Sequence, residues 1–329
     1  ISVTNVILNY SETAETITVS DATGGQTLAD SGAAESLIFN DPTGTLTINA
    51  GNTGVNTVDV NSLTASYAAT IDINGGDAGD TVNLNGPLTL AANSSLTVDA
   101  ETINTPNAGS DIATSGTGSV TLTATRNILL SGGSSITTVD GGITLSANSA
   151  GTTAGDFTGV QASNAIIQTT GTGNILLTGF GGDDAGTGSH RGIFLQNGST
   201  VSSTLSGGAA GTITINGTGG DGTSNNTGIE ISDAGTAVQS LAGDIFLNGN
   251  GAAGSGTDNQ GVLVQSSAAV LSTGVANIVI TGTATAGDDV EFDTNVIIGG
   301  GTATGNVDIN ADSLLMQTNV NVQSTGALT

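Results

Sequence analysis

The chain has 329 residues, a formal net charge of −26 and no cysteine. Its 28 acidic residues face only two arginines and no lysine. Because phosphate binding depends on Lys and Arg, this charge argues against nucleic acid or an anionic membrane surface as a partner. The lack of cysteine excludes disulfides and thiolate metal sites. No apolar run approaches the roughly 18 residues of a membrane-spanning helix, so we expect no transmembrane segment.

The first third of the chain consists of short segments in which apolar and polar residues alternate, the pattern of half-buried strands. A faint repeat relates the segments near residues 46–60 to those near 71–84, about 25 residues further on. We therefore predict less regular β-solenoid coils over residues 1–115. The predicted strands are 16–19, 36–39, 46–48, 57–60, 71–73, 82–84, 88–90 and 96–98.

The remainder of the chain repeats more strictly. Gly-Asn-Ile-Leu-Leu-Thr-Gly at 173–179 returns as Gly-Thr-Ile-Thr-Ile-Asn-Gly at 211–217 and Gly-Asp-Ile-Phe-Leu-Asn-Gly at 243–249. A Gly-rich loop and two further short strands follow each opening. Three strands per unit, recurring roughly every 30 to 38 residues, are typical of a repeat architecture. We predict an all-β, right-handed parallel β-helix (β-solenoid) with three short strands per coil and inserted Gly-rich loops, its regular coils covering residues 116–329 and continuing the first part.

Stacking the copies places equivalent residues in columns, because neighbouring coils pair as parallel strands about 4.8 Å apart. Two columns on the first strand and two on the second are nearly all aliphatic, so we predict that they face inward and form the core. The columns are Ile175, Ile213, Ile245, Ile278, Val307; Leu177, Ile215, Leu247, Ile280, Ile309; Val160, Ile193, Ile229, Val262; and Ala162, Leu195, Ile231, Val264.

Two polar columns flank the first strand and are predicted to face outward, where Thr and Asn side chains can hydrogen-bond along the axis. The glycine that precedes each strand predicts a corner with positive φ. The polar columns are Asn174, Thr212, Asp244, Asn277, Asn306 and Thr178, Asn216, Asn248, Thr281, Asn310.

Two segments carry a resemblance to a known class of protein. They are Ile-Leu-Leu-Ser-Gly-Gly-Ser-Ser-Ile-Thr-Thr-Val-Asp-Gly-Gly-Ile-Thr-Leu-Ser-Ala at 128–147 and Ile-Ile-Gln-Thr-Thr-Gly-Thr-Gly-Asn-Ile-Leu-Leu-Thr-Gly at 166–179. Most of residues 116–329 resembles the β-strand-repeat portions of giant bacterial surface proteins of the filamentous haemagglutinin type. The resemblance implies a right-handed parallel β-helix, secretion to the cell exterior, and a role as adhesin, stalk or matrix protein.

One loop contains groups that could perform catalysis. Asp183, Asp184, His190 and Arg191 lie within nine residues, and paired carboxylates can share acid and base roles in polysaccharide cleavage. The internal repeats argue against an enzyme, because the position of His190 holds asparagine in the next two copies. We interpret His190 as decoration in a variable loop slot and predict no catalysis.

A second candidate site is the turn at 75–83, which nearly fits the calcium-binding turn of β-rolls. Asp77 and Asp80 are its candidate ligands for Ca²⁺ or another divalent cation. Ala78 replaces an expected glycine, and no tandem copy completes the site. A solvated acidic face is the alternative, and we expect no required cofactor.

These observations predict an extracellular structural or adhesive segment of a bacterial surface protein, a shaft, matrix or filament component, as a portion of a longer secreted chain. Self-association, end to end or lateral, or cell-surface glycans are the expected partners. Two alternatives stay open. The inserted loops at 179–191, 217–227 and 249–260 could form a glycan- or protein-binding module, or the protein could be a polysaccharide-cleaving β-helix enzyme.

Overall fold

The computed structural model describes residues 3–10, 14–31, 36–51, 54–76, 79–252, 258–300 and 305–329. Every regular element in these ranges is a β-strand, and they contain no helix that could span a membrane. The strands up to residue 115 are β1 Asn5–Asn9, β2 Thr16–Ala22, β3 Gln26–Asp30, β4 Ser36–Asn40, β5 Thr45–Asn49, β6 Thr57–Val60, β7 Thr70–Asn74, β8 Thr81–Leu84, β9 Leu88–Ala92, β10 Leu96–Thr105 and β11 Asp111–Ser115.

The later strands follow the repeats. They are β12 Val120–Leu130, β13 Ser135–Thr138, β14 Ile143–Ala147, β15 Val160–Ser163, β16 Ile166–Thr169, β17 Ile175–Phe180, β18 Ile193–Gln196, β19 Thr200–Ser203, β20 Ile213–Thr218, β21 Ile229–Ser232, β22 Ala237–Ser240, β23 Ile245–Asn250, β24 Val262–Gln265, β25 Ala269–Ser272, β26 Ile278–Thr283, β27 Val290–Phe292, β28 Ile297–Gly299, β29 Val307–Asn310, β30 Leu314–Met316 and β31 Asn321–Gln323.

Equivalent strands stack in three parallel ladders. The first ladder runs through β1, β5, β7, β10, β12, β14, β17, β20, β23, β26 and β29. The second runs through β6, β8, β10, β12, β15, β18, β21, β24, β27 and β30. The third is a separate nine-stranded sheet of β9, β11, β13, β16, β19, β22, β25, β28 and β31. The predicted all-β, parallel-stacked architecture is confirmed.

The core lies between these ladders and is almost wholly aliphatic. The predicted inward columns pair in register, and Ile213, Ile245 and Ile278 on the first ladder have no solvent exposure. On the second ladder Ile229 and Val262 are equally buried. Burying one such side chain stabilises the fold by roughly 1.5–3 kcal/mol, so every rung adds its own share to the stability of the core.

The glycines before the first-ladder strands have a different role from the one predicted. Gly173, Gly211 and Gly243 do not have positive φ. A Cβ on Gly211 would overlap the carbonyl oxygen of Gly173, and a Cβ on Gly243 would overlap that of Gly211. The prediction of a left-handed corner was wrong here: glycine is needed because successive backbones approach too closely for a side chain.

The left-handed corner lies elsewhere, after the second-ladder strands. Asn164, Asn197 and Asp233 follow β15, β18 and β21 with φ of 52°, 56° and 82°. Asn and Asp tolerate this conformation better than other side-chain-bearing residues. These turns lead directly into the third ladder.

One of the two outward polar columns forms most of the hydrogen-bonded ladder that the sequence predicts, and the other forms part of one. The carboxamide oxygen of Asn174 accepts the N–H of Thr212 at 2.8 Å, and that of Asn277 accepts the N–H of Asn306 at 2.9 Å. In the other column the amide of Asn248 donates to Asn216 at 2.9 Å. The column that begins at Asn174 also has a bond of this kind between Asp244 and Asn277, whereas the column that begins at Thr178 shows one between Asn216 and Asn248.

The beginning of the chain departs from parallel stacking. β3 pairs antiparallel with β2 on one side and with β4 on the other, so a three-stranded meander continues the second ladder beyond β6. The sequence predicted strands near β2 and β4 but missed Gln26–Asp30. This strand has no copy elsewhere in the chain, so the repeats could not reveal it.

Tyr67 connects this meander to the coils. Its ring is buried, and its hydroxyl lies 3.0 Å from the Thr27 hydroxyl of β3, which donates to Asp41 at 2.8 Å. The Tyr67 hydroxyl is therefore the donor to Thr27. Burial raises the pKa of Tyr67 to about 12. The Thr27 hydroxyl lowers this pKa in part, because it would turn to donate to the phenolate once Tyr67 ionises, and the negative charge of Asp41 adds a smaller rise.

We expect Ile245→Ala to destabilise the protein by about 2–5 kcal/mol, because it removes buried methyl groups from a tightly stacked column. Since each rung contacts only its neighbours, lost amide protection should be confined to β20, β23 and β26. Urea unfolding and hydrogen exchange measure both effects. Thr214→Ala on the outward side is the control, with an expected change within about 0.5 kcal/mol. Uniform loss of protection along the whole chain would contradict independent rungs.

Stability should fall as the pH rises from 10 to 12, because the folded state keeps the Tyr67 proton that the unfolded chain releases near pH 10. The loss attributable to Tyr67 is about 1.4 kcal/mol at pH 11 relative to pH 9. Urea unfolding at both pH values measures it. Tyr67→Phe should remove this part of the pH dependence, and an unchanged slope in the variant would contradict the assignment.

Candidate functional site

The inserted loops stack on one another and form a ridge beside the first and second ladders. We call residues 179–191, 217–227 and 249–260 the loop ridge; its third loop is described at 249–252 and 258–260. The N–H of Gly220 donates to the His190 carbonyl at 2.8 Å, and the N–H of Ala252 to the Asn226 carbonyl at 3.1 Å. Ser189 pairs in the same way with Ser224 at 2.8 Å. Main-chain bonds therefore hold neighbouring loops in register.

A groove of about 480 Å³ follows the base of the loop ridge across several rungs. Phe180, Thr218 and Asn250, the last residues of β17, β20 and β23, line it at equivalent positions. Asp183 and Asp221 line the loop side. Gly219 and Gly251 also contribute, so backbone comes close to the open space. The groove combines one aromatic ring, two carboxylates and short polar side chains.

His190 is buried within the loop ridge. Its Nδ1 lies 2.7 Å from the Asp221 carbonyl and must donate to it, because a carbonyl can only accept. Its Nε2 lies 3.0 Å from the Thr187 hydroxyl and 3.4 Å from an Asp156 carboxylate oxygen. The ring therefore joins three segments of chain.

The interpretation of His190 as loop decoration was wrong. The equivalent Asn226 and Asn259 are also fully buried. Each accepts, on its side-chain oxygen, the backbone N–H of the equivalent residue in the preceding repeat: Asn226 from His190 at 3.2 Å and Asn259 from Asn226 at 2.9 Å. The position varies in residue type because His and Asn both supply hydrogen bonds to buried backbone. This shared capacity was the available signal in the sequence.

Arg191 is held by structural contacts. Its Nε donates to the Glu230 carboxylate, and its guanidinium lies 4.3 Å from the centre of the Phe194 ring. The amide of Gln265 donates to the other Glu230 oxygen at 2.8 Å. Glu230 lies on the outer face of β21 and is buried. Its two hydrogen bonds link it to Arg191 before it and to Gln265 on the following rung.

Glu291 repeats this arrangement two repeats further on. Its two oxygens accept the amides of Gln260 and Gln317 at 2.6 and 2.5 Å, from the preceding and following rungs. The sequence did not reveal that both glutamates are buried, because a Glu at a polar position of a strand with alternating apolar and polar residues is predicted to face solvent. The glutamines at the neighbouring positions were the only sequence signal.

The enzyme-like set does not converge. Asp183 is exposed in the groove, whereas Asp184 accepts the N–H of Gly186 at 3.0 Å within its own turn. His190 contacts the Asp156 carboxylate and not Asp183, and Arg191 is paired with Glu230. Asp184, His190 and Arg191 therefore each have a different partner, and none of these partners is Asp183.

Of the two candidate calcium ligands, Asp77 lies outside the described residues. Asp80 is fully buried, and one carboxylate oxygen accepts the N–H of Asn56 at 2.5 Å. The Asn56 amide in turn donates to the Ala50 carbonyl at 3.0 Å. Within the described ranges no three His, Cys, Asp or Glu side chains are grouped as a metal site would require. The described part of the turn supplies Asp80 alone, as an internal hydrogen-bond acceptor.

Comparison with known proteins provides no relative from which a role could be transferred. No protein-family model matches the chain, and neither the curated proteins nor the solved structures contain a match. The functional proposals below therefore depend on the geometry and on the sequence pattern.

We expect His190→Ala to destabilise the protein by about 1–3 kcal/mol, because the Asp221 carbonyl and the neighbouring buried groups lose their partner. His190→Asn should cost clearly less, since asparagine occupies the equivalent positions 226 and 259. Urea unfolding compares the two variants. The control is Asp183→Asn, an exposed change expected within about 0.5 kcal/mol. Equal stability of His190→Ala and the parent would restore the decorative interpretation.

Proposed function

We propose that this chain is a passive, elongated scaffold: a shaft, matrix or filament segment of a bacterial extracellular protein, without catalysis. The observation that carries the proposal is the unbroken first ladder, which runs in register from β1 to β29 with an aliphatic interior. A scaffold needs length and uniform rungs, and this ladder provides both. The separate partners of Asp184, His190 and Arg191, with Asp183 exposed and not among those partners, also favour it over the enzyme alternative.

We infer that from β7 onward each coil contributes one strand to each ladder, with the long strands β10 and β12 each serving the first two ladders, and that the coils are right-handed. The order of the strands supports this: β17, β18 and β19 join the first, second and third ladders in turn, and β20, β21 and β22 repeat that order. Parallel strands joined by crossovers are right-handed in nearly all proteins. The inserted loops would then project from one corner of every regular coil.

The extracellular, bacterial location rests on the sequence. A net charge of −26, the absence of cysteine and the resemblance of residues 116–329 to filamentous-haemagglutinin-type repeats all favour it. Such an excess of negative charge suits a highly hydrated surface, and divalent cations or salt would screen the repulsion along the rod. Self-association of rods is compatible with this role.

A binding module formed by the loop ridge is the second candidate function. The observation that favours it is the stacking of the loops, since bonds such as Asp184 N–H to the Asp221 carbonyl at 3.1 Å hold them as one surface. Recognition sites are commonly built from loops on a rigid scaffold. A glycan or protein partner on this surface would add adhesion to the scaffold.

The scaffold proposal predicts that length can be changed by whole repeats. Spin labels on cysteines introduced at Thr47 and Asp308 should lie about 43 Å apart, because nine parallel pairings of about 4.8 Å separate these positions. The chain contains no other cysteine. Deleting residues 211–242, one full repeat, should keep the fold and shorten this distance by about 5 Å.

Pulsed electron paramagnetic resonance measures the distance, and circular dichroism checks that the strands remain. Duplicating residues 211–242 is the matched control, with an expected lengthening of about 5 Å. Loss of folding on deletion, or a distance that does not follow the number of repeats, would contradict a modular scaffold.

A further inference from the structure

Asp183 and Asp221 form an unbalanced pair of charges in the groove. Phe180 and Thr218 are register partners on β17 and β20, so the two aspartates, each three residues further on, occupy equivalent positions in successive loops. Both are exposed, and within the described part of the chain neither carboxylate has a hydrogen bond or an ion pair. Two carboxylates on neighbouring rungs repel each other and favour a positively charged occupant.

The opposite side of the groove is suited to a ring-shaped, hydroxylated ligand. Phe180 provides an aromatic surface, and Thr218 and Asn250 follow it on the next two rungs with a hydroxyl and a carboxamide. These side chains are spaced by the rung separation of about 4.8 Å. A linear chain of sugar rings laid along the axis would meet one such side chain at each rung.

We propose that this groove binds a glycan that carries free amino groups, with its chain parallel to the solenoid axis. The proposal rests on the second candidate function, the loop ridge as a binding module. The ammonium groups pair with Asp183 and Asp221, and one of them lies near the Phe180 ring, where a cation gains further attraction. The hydroxyls of the sugar bond to Thr218 and Asn250.

A peptide fits the groove less well, because the described main chain on its strand side has no free edge. Gly181, Gly219 and Gly251 already donate their N–H groups to the carbonyls of Thr218, Asn250 and Thr283 at 2.9, 2.9 and 2.8 Å. Added strands need such groups free. Anionic glycans are excluded by the two carboxylates and by the net charge of −26.

The test is calorimetric titration of the full chain with a β-1,4-linked glucosamine tetramer and with its fully N-acetylated form, at low and at physiological salt. We expect the free-amine tetramer to bind at least ten times more tightly. Asp183→Asn combined with Asp221→Asn should weaken its binding at least tenfold, and Phe180→Ala should weaken it severalfold. Circular dichroism checks that each variant is folded.

The matched control is Asp72→Asn combined with Asp293→Asn, which removes the same charge away from the groove. It should change the affinity less than twofold, whereas an equal loss in both double variants would show non-specific charge attraction and overturn the site. Binding of tetralysine that is as tight and equally sensitive to the groove variants would overturn the glycan assignment.

The remaining outcomes separate this inference from the functions proposed above. Equal binding of the acetylated tetramer would overturn recognition of the amines while leaving the loop ridge as a glycan-binding surface. No binding of either tetramer would overturn this inference. The scaffold proposal would stand or fall separately on the spin-label distances.

Discussion

Backbone pairing between equivalent strands of successive repeats fixes the rest of this structure. Parallel strands must lie about 4.8 Å apart to bond, and at the corner before the first ladder this distance leaves no space for a Cβ, as between Gly173 and Gly211. The glycines allow the rungs to meet, and the rungs then bring Ile175 and Ile213 into contact in the interior. The polar columns outside follow the same spacing. The glycines at the corners, the aliphatic core and the polar columns outside therefore all follow from the separation between neighbouring strands.

The inserted loops have the same separation along the axis as the strands that carry them. Each inserted loop starts and ends on a strand whose position along the axis is already set, so the described parts of neighbouring loops stack on one another. His190 and Asn226 then become buried acceptors and donors between neighbouring loops. Asp183 and Asp221 become equivalent neighbours on the outer side. A surface of this kind presents chemical groups at a regular interval, which matches it to extended ligands better than to small ones.

The parts of the fold that recur in every repeat could be predicted from the sequence. The aliphatic columns that contain Ile175 and Ile193 were foreseen because alternation and internal alignment both place them inside. Strand Gln26–Asp30 was missed because it pairs antiparallel and has no copy to compare. Burial of His190 was missed because alignment registers a change of residue type, while the hydrogen bond common to His and Asn appears only when backbone groups are in place. The groove was also beyond reach, since Phe180 and Asp221 lie 41 residues apart and meet only through strand register.

The contacts of the two arginines have a consequence outside the fold. Trypsin-like proteases must draw a basic side chain and several flanking residues into an extended conformation, and this chain contains only Arg126 and Arg191 as targets. Arg126 lies 5.1 Å from the centre of the Phe157 ring, and Arg191 is held between Phe194 and Glu230. Digestion at either position requires opening of the surrounding coils. In an environment rich in such proteases, the protein would persist far longer than its many surface loops suggest.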